Sequence, residues 1–368
     1  MKKLYEAAAD LLRRGESLAM ATIFDRAGSA PRAEGAKMIV REDGSIVGTI
    51  GGGRLEADTI DLAKKAVAEK RSIIQVFDLT GKDAADTNMI CGGAGQILID
   101  FIDARNSDNL EIYEEAIRIL ASQGRKGWLI TLVKDTGTAA ITTQRCLVGP
   151  DREMTGTISC DPYLIEKLIM GPAKITLHSE AFEKHRFLVE PLRQGGTLYL
   201  FGAGHVSQKI APLSESVGFR TVVLDDRATY ANRERFPEAA EVLVIDSFKE
   251  LPRLGIDEDS YVVIITRGHL HDKYVLEQVL RSGAAYVGMI GSRRKRDLIY
   301  KEAMDHGFTG EELERVFSPI GTDIGAETPE EIAISIVGEL VQVRSKKNGQ
   351  KRKAKDEADR PCCTIQAV

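Results

Sequence analysis

The sequence predicts an α/β protein in two parts, an N-terminal α+β domain followed by a doubly wound parallel-sheet domain. Three observations predict it. Short apolar strands alternate with helices from Thr197 onward, a Gly-x-Gly turn joins the first of those strands to its helix, and the first half sets short strands among long glycine-rich loops. At 368 residues, 43% apolar and 29% charged, the chain can bury enough core for about two domains without crosslinks.

Leu4 to Arg14 carries apolar residues at helical spacing and stops at Gly15, and Leu18 to Phe24 reads as a strand. From Ala36 to Ile50 two short strands flank the turn Glu42-Asp43-Gly44, and Gly51-Gly52-Gly53 then opens a helix from Leu55 to about Lys70. Strands near Ile73 to Asp78 and Gln96 to Ile102 bracket a polar loop that holds Met89-Ile90-Cys91-Gly92-Gly93. A weak internal repeat emerges when residues 18–62 are laid over 128–168. Leu18 through Asp25 falls on Trp128 through Asp135, Met38-Ile39-Val40 on Cys146-Leu147-Val148, and Gly48-Thr49-Ile50 on Gly156-Thr157-Ile158. The alternative is two strand-turn-strand-helix units that are alike only in composition. Where the first copy has Pro31-Arg32, Gly35, Lys37 and the triple glycine, the second has Ala140-Ile141, Thr143, Arg145 and Ser159-Cys160-Asp161.

In the second half the strands are Leu198 to Phe201, Thr221 to Leu224, Val242 to Ile245, Tyr261 to Thr266 and Tyr286 to Ile290. A joint at Pro191 to Gly196 separates a domain of residues 1–190 from one of residues 191–345. Residues 346–368 are lysine-rich and poor in apolar side chains, which predicts a flexible, solvated tail.

Composition narrows the function. Fifty Lys and Arg against 55 Asp and Glu give a net charge of -5, with no basic face for a nucleic-acid backbone. The apolar runs, such as Tyr261 to Ile265, fall far short of the roughly 18 residues that span a bilayer, and Met1-Lys2-Lys3 leads into an amphipathic helix. The expectation is a cytoplasmic protein without a membrane or nucleic-acid partner. Cysteines at 91, 146, 160, 362 and 363, odd in number and without a repeated CxxC, argue against a disulfide framework or a structural zinc site.

The residues that carry chemistry cluster at strand ends. Gly202-Ala203-Gly204-His205 follows a strand and opens a helix, the setting in which amide groups and the helix dipole hold a phosphate. Ser207 stands where a third glycine is usual. Asp225 ends the next strand, where an acid accepts from a ribose 2′-OH and disfavours a 2′-phosphate; a Rossmann fold follows, with NAD, another nucleotide or a docking role left open. His269, His271 and Asp272 lie after the fourth strand and suit proton transfer, ligand orientation, metal binding with His205, or simple helix capping. Gly291-Ser292-Arg293 ends the fifth strand as a further anion site, the alternative being a solvated charge run. In the first domain Arg32, Lys37 and Arg54 stand around Gly51-Gly52-Gly53, whose helix-opening amides suit phosphate or merely build a turn, with Glu56 placed to favour the helix dipole. Cys91, before Gly92-Gly93, is either a buried small hydrophobe or a thiolate for a soft metal or for sulfur.

Taken together these residues resemble the XdhC/CoxI family, the accessory proteins that mature molybdenum hydroxylases such as xanthine dehydrogenase. The resemblance covers about residues 1–343. It rests on Gly28-Ser29-Ala30-Pro31-Arg32, Gly35-Ala36-Lys37-Met38, Gly48 through Glu56 and Cys91-Gly92-Gly93 in the first half. In the second it rests on Phe201 through Val206, Asp225-Asp226-Arg227, His269 through Asp272, Gly288 through Ser292, Ser318-Pro319-Ile320-Gly321 and Thr328 through Ala333. It implies an XdhC/CoxI domain followed by a Rossmann domain, binding of molybdenum cofactor, and delivery of its sulfurated form to an apo-hydroxylase. A cysteine desulfurase is the further partner implied, and a homodimer is plausible. Arg32, Lys37 and the amides of Gly52 to Leu55 would then hold the molybdopterin phosphate while Cys91 approaches the molybdenum. Two other readings stay open: an NAD-dependent oxidoreductase using Gly202, Gly204 and Asp225 with His269 or His271, and a metal-handling Rossmann protein of the sirohaem-synthesis kind, which leaves the first domain's motifs unexplained.

Overall fold

The computed structural model describes residues 1–28, 34–78, 93–122, 126–135, 141–170, 176–178, 186–192 and 195–358. They form two compact units, Met1–Arg193 and Gln194–Val368. Among the described residues no helix is long and apolar enough to cross a membrane.

The first unit runs twice through one order of elements. Helix α1 (Lys2–Arg13) leads to β1 (Leu18–Gly28), β2 (Lys37–Val40), β3 (Ile46–Gly48), α2 (Gly53–Glu69), β4 (Ile73–Asp78) and β5 (Gly93–Ile102). Helix α3 (Ser107–Ala121) then leads to β6 (Gly127–Asp135), β7 (Ile141–Val148), β8 (Met154–Thr157), α4 (Pro162–Met170), β9 (Thr176–His178) and β10 (Arg186–Leu192). The two antiparallel sheets have the same strand order, β3-β2-β1-β5-β4 and β8-β7-β6-β10-β9. Thr22 faces Lys37 in one ladder and Thr131 faces Arg145 in the other, so Thr22 and Thr131 are equivalent. The overlay made from sequence set β1 one residue out against β6, and one residue in a strand exchanges the two faces.

Each sheet buries one face under its own helix. Met38, Val40 and Ile99 pack with Leu55 and Ala63 of α2, and Cys146, Val148 and Val189 pack with Ile165 and Leu168 of α4. A shared core joins the copies: Met20, Ile39, Leu129 and Leu147 from the strands meet Tyr5, Ala8, Tyr113 and Ala116 from α1 and α3. The equivalent rings of Tyr5 and Tyr113 touch, with centroids 5.4 Å apart. Reciprocal contacts of this kind are those of an isologous interface.

The second unit is a six-stranded parallel sheet, order β13-β12-β11-β14-β15-β16. Its strands are β11 (Thr197–Phe201), β12 (Arg220–Asp225), β13 (Glu241–Val244), β14 (Ser260–Ile264), β15 (Tyr286–Met289) and β16 (Val316–Phe317). This is the doubly wound order, with the reversal between β11 and β14. Side chains at alternate positions are buried on both faces, Tyr199, Phe201 and Val262 on one, Leu198, Leu200 and Val263 on the other, as a sheet covered by helices requires. The helices are α5 (His205–Ser216), α6 (His269–Val279), α7 (Arg293–Asp305), α8 (Gly310–Glu314) and α9 (Pro329–Ala358). Helix α9 continues past Val343 to Ala358, where composition predicts a solvated tail. Lys, Arg, Gln and Ala all sustain a helix once packing of Ala333, Ile336 and Leu340 has begun it.

Candidate functional site

At one end of the first sheet three motifs leave from neighbouring strands. Gly28 pairs with Gly93, Asp78 with Ala94, and Gly48 with Met38. In antiparallel ladders all three segments leave toward the same end of the sheet, those of Arg32 and Cys91 from the level of Gly28 and Gly93, and that of Gly51-Gly52-Gly53 from Gly48, level with Ala21 seven residues earlier on β1. Arg32 and Cys91 themselves lie outside the described residues.

The triple glycine is a left-handed turn, with φ of 131°, 75° and 66° at Gly51, Gly52 and Gly53. A side chain is strained in that region, hence the glycines. The carboxylate of Glu56 fills the turn: Oε2 accepts from the Thr49 hydroxyl at 2.5 Å, from Ile50 N–H at 3.1 Å and from Gly52 N–H at 3.2 Å. Gly51 N–H donates to Thr49 Oγ1 at 3.0 Å. The Gly52 amide, expected to help hold a phosphate, is therefore already engaged by an internal anion, and the Gly51 amide by the Thr49 hydroxyl. Space remains beside Gly52, where an added Cβ meets nothing within 4 Å. Arg54 stands exposed at the start of α2, 3.6 Å from Asp58.

Lys37 also departs from expectation. Its ammonium is 95% buried, 2.6 Å from Glu190 Oε1 and 2.7 Å from Thr22 Oγ1, because β2 turns it into the interior and not toward the loops. The equivalent Arg145 reaches Asp100 at 2.7 Å and is equally buried. Asp100 and Glu190 are equivalent too, facing Met20 and Leu129. Each copy thus supplies the acid for the other's cation. Cys146 is a core residue: burial, with Cys160 nearby, pushes its thiol up to about 12.

The carboxyl edge of the second sheet gathers the remaining candidates. Gly202 has φ 106°, and a Cβ there would stand 2.1 Å from the Ile265 carbonyl, so β11 and β14 leave no room for a side chain at their crossing. Ser207 is fully buried and donates to Gly202 O, serving as the small residue that close packing needs. Gly204 caps α5 and His205 is exposed at its first turn. Asp225 is 1% exposed and fully engaged. It accepts from Ala203 N–H at 2.8 Å, from Arg227 N–H at 3.1 Å, and from Arg227 Nε and Nη2 at 2.8 and 2.9 Å. The expected ribose acceptor is instead a clamp between the ends of β11 and β12.

Asp272 is likewise structural. It is fully buried, accepts from Thr266 N–H at 3.0 Å and the Thr266 hydroxyl at 2.6 Å, and forms an ion pair with Lys295. His271 is half-buried against Phe248, with ring centroids 5.3 Å apart, and His269 is exposed. Among the described residues, His205 and the histidine–aspartate stretch included, no group of three His, Cys, Asp or Glu side chains is placed to hold a metal. Gly291, at φ 155°, precedes Ser292, whose Oγ accepts from Lys295 N–H at 3.3 Å and caps α7; Arg293 is exposed. Sequence reasoning gave no role to Arg227, Tyr230, Arg235 or Arg267. Arg227 and Arg235 stack on the Tyr230 ring at 3.8 and 5.0 Å from its centroid, and Arg267 grips Asp226. The available signal was an arginine two residues beyond the acid at the end of β12.

Residues 11–78 match the XdhC and CoxI family, and residues 198–340 match the XdhC Rossmann domain. The uncharacterized protein YqeB of Escherichia coli (strain K12) is 27% identical over 347 residues, 94% of this chain but 47% of that protein, so the chain spans about half its length. A probable xanthine dehydrogenase subunit of Bacillus subtilis (strain 168) is 25% identical, covering 91% of this chain and 96% of that one. The molybdenum cofactor insertion chaperone PaoD of Escherichia coli (strain K12) is 23% identical, covering 92% and 86%. A solved structure of a xanthine dehydrogenase from Bacillus halodurans superposes with a TM-score of 0.74 at 26% identity, covering 94% and 96%.

Proposed function

Because this chain belongs to the XdhC and CoxI family, matching its N-terminal and Rossmann domains in order, we propose that it binds molybdenum cofactor and assists its sulfuration and insertion into a xanthine dehydrogenase-type hydroxylase. The observation that supports the reading is that three glycine-bearing segments leave their strands toward the same end of the first sheet. The cofactor would bring a phosphate, two enedithiolate sulfurs and a molybdenum centre. The described residues fit its phosphate in a narrower way than sequence suggests. Lys37 and the Gly52 amide already have partners inside the fold, whereas exposed Arg54, the N-terminus of a 17-residue helix and the open space beside Gly52 suit an anion. Arg32 and Cys91 complete the proposed set, Arg32 as a second cation and Cys91 as the thiol that meets the metal or the exchanged sulfur. The apo-hydroxylase and a cysteine desulfurase are the proposed partners.

Native mass spectrometry with elemental analysis tests the proposal on protein purified from cells that make the cofactor. Bound pterin and molybdenum are expected, with the amount reduced by Arg54→Ala and by Cys91→Ala. Protein free of both in such cells overturns the reading, and unchanged loading and target activation in Cys91→Ala remove the thiol from it. The oxidoreductase alternative draws no support from Asp225, whose oxygens are all engaged.

A further inference from the structure

We infer that the Rossmann unit takes a nucleotide whose ribose carries a 2′-phosphate, in preference to the 2′-hydroxyl form, and that Arg227 makes the distinction. The inference is independent of the pterin reading. An acid at the end of the second strand selects a free ribose by accepting from its hydroxyls, and an arginine nearby accommodates a 2′-phosphate. Here the acid is Asp225, buried under Arg227 with a donor on each oxygen. For a ribose diol to reach that carboxylate it must displace a two-pronged, charge-assisted pair and replace it with neutral hydrogen bonds, which is unfavourable.

The outer face of the same arginine is well suited to phosphate. Asp225 takes Nε and Nη2, leaving Nη1 without a hydrogen bond among the described residues, and the side chain is 32% exposed. Stacking on Tyr230 fixes the guanidinium plane, and Arg235, held by Gln208 Oε1 at 2.7 Å, adds a second cation over the same ring. A planar fork already fixed in place loses little freedom when it binds a phosphate.

A second ion pair governs access. Asp226 follows β12 and Arg267 follows β14, the two strands that flank β11, so their contact, with Nη2–Oδ2 at 2.7 Å, spans the end of β11 from which the Gly202–Gly204 turn departs. A diphosphate over that turn competes with Asp226 for Arg267. The two pairs are joined at one point, Arg227 Nε lying 3.9 Å from Asp226 Oδ1, but differ in their main effect: Arg227 sets which ribose is preferred, and Asp226 sets chiefly how tightly either nucleotide binds.

Calorimetric titration of the full chain with NADP+, NAD+, 2′,5′-ADP and 5′-ADP tests this. The 2′-phosphorylated member of each pair is expected to bind at least about tenfold more tightly, the scale of one charge-assisted contact. Arg227→Gln, which keeps a hydrogen-bonding side chain over Asp225, is expected to bring the ratio close to one. Asp226→Asn is expected to tighten both members while the preference for the 2′-phosphorylated form remains. Circular dichroism confirms that each variant is folded, and Arg227→Lys serves in place of a glutamine variant that is not. Equal or tighter binding of the unphosphorylated forms, no binding of any of the four, or a ratio unchanged by loss of the Arg227 fork overturns the inference.

Discussion

Lys37 and Arg145 show what a single residue can conceal. In sequence Lys37 stands beside glycines and an arginine and reads as a phosphate ligand; in the fold its charge is matched by Glu190, a residue on the last strand of the other copy. Residue type and local spacing carry no information about a partner so distant in the chain. Removing one member of a buried ion pair leaves an uncompensated charge, at a cost of about 3–5 kcal/mol, while replacing both by apolar groups is close to neutral. Lys37→Met is therefore expected to destabilise the first unit by about that amount in urea denaturation, and Lys37→Met with Glu190→Met to recover most of it. A small effect of the single change would show that the pair is not confined as described. Asp225 follows the same rule: its place at the strand end was legible, but not the arginine that covers it.

At the scale of elements, periodicity served well where packing and propensity agree. The parallel strands of the second unit were legible because each is a short apolar run, and β11, β14 and β15 each lead into a helix. The two-residue β16 was not, since Val316–Phe317 is too short to carry a pattern. The opening of α2 was legible as a glycine turn, but its function in the fold was not. Partial burial by itself would raise the Glu56 carboxyl, yet hydrogen bonds from Thr49, Gly52 and Ile50 outweigh it and hold the group below its ordinary 4.5. A depressed carboxyl contributes stability that is complete above the ordinary value and is lost as pH falls through the lower folded one. Glu56→Gln is thus expected to lower the melting temperature at pH 7 and to flatten the further fall below pH 4.5 relative to the parent. Parallel acid melting curves for the two proteins would count against the carboxylate anchor.

For the whole molecule, sequence showed that the two halves differ in architecture, and the family resemblance rested on motifs that the fold distributes over both units. Its proposed ligand set was less legible, because two of its members, Lys37 and Gly52, satisfy partners inside the fold, and two, Arg32 and Cys91, stand outside the described residues.

The crossed ion pairs also bear on ancestry. Lys37 and Asp100 lie on strands either side of β1 in one sheet, yet each finds its counter-ion only in the other sheet. A half-length forebear holding just residues 1–104 would have met both needs by docking against its twin. Produced alone today, that fragment is expected to sediment as a two-chain species at micromolar concentration and to fall apart on Lys37→Glu; a folded, solitary fragment would refute such a history. On that history the later half, with Ser159-Cys160-Asp161 where the earlier has its triple glycine, would serve as a permanent scaffold for the other's loops.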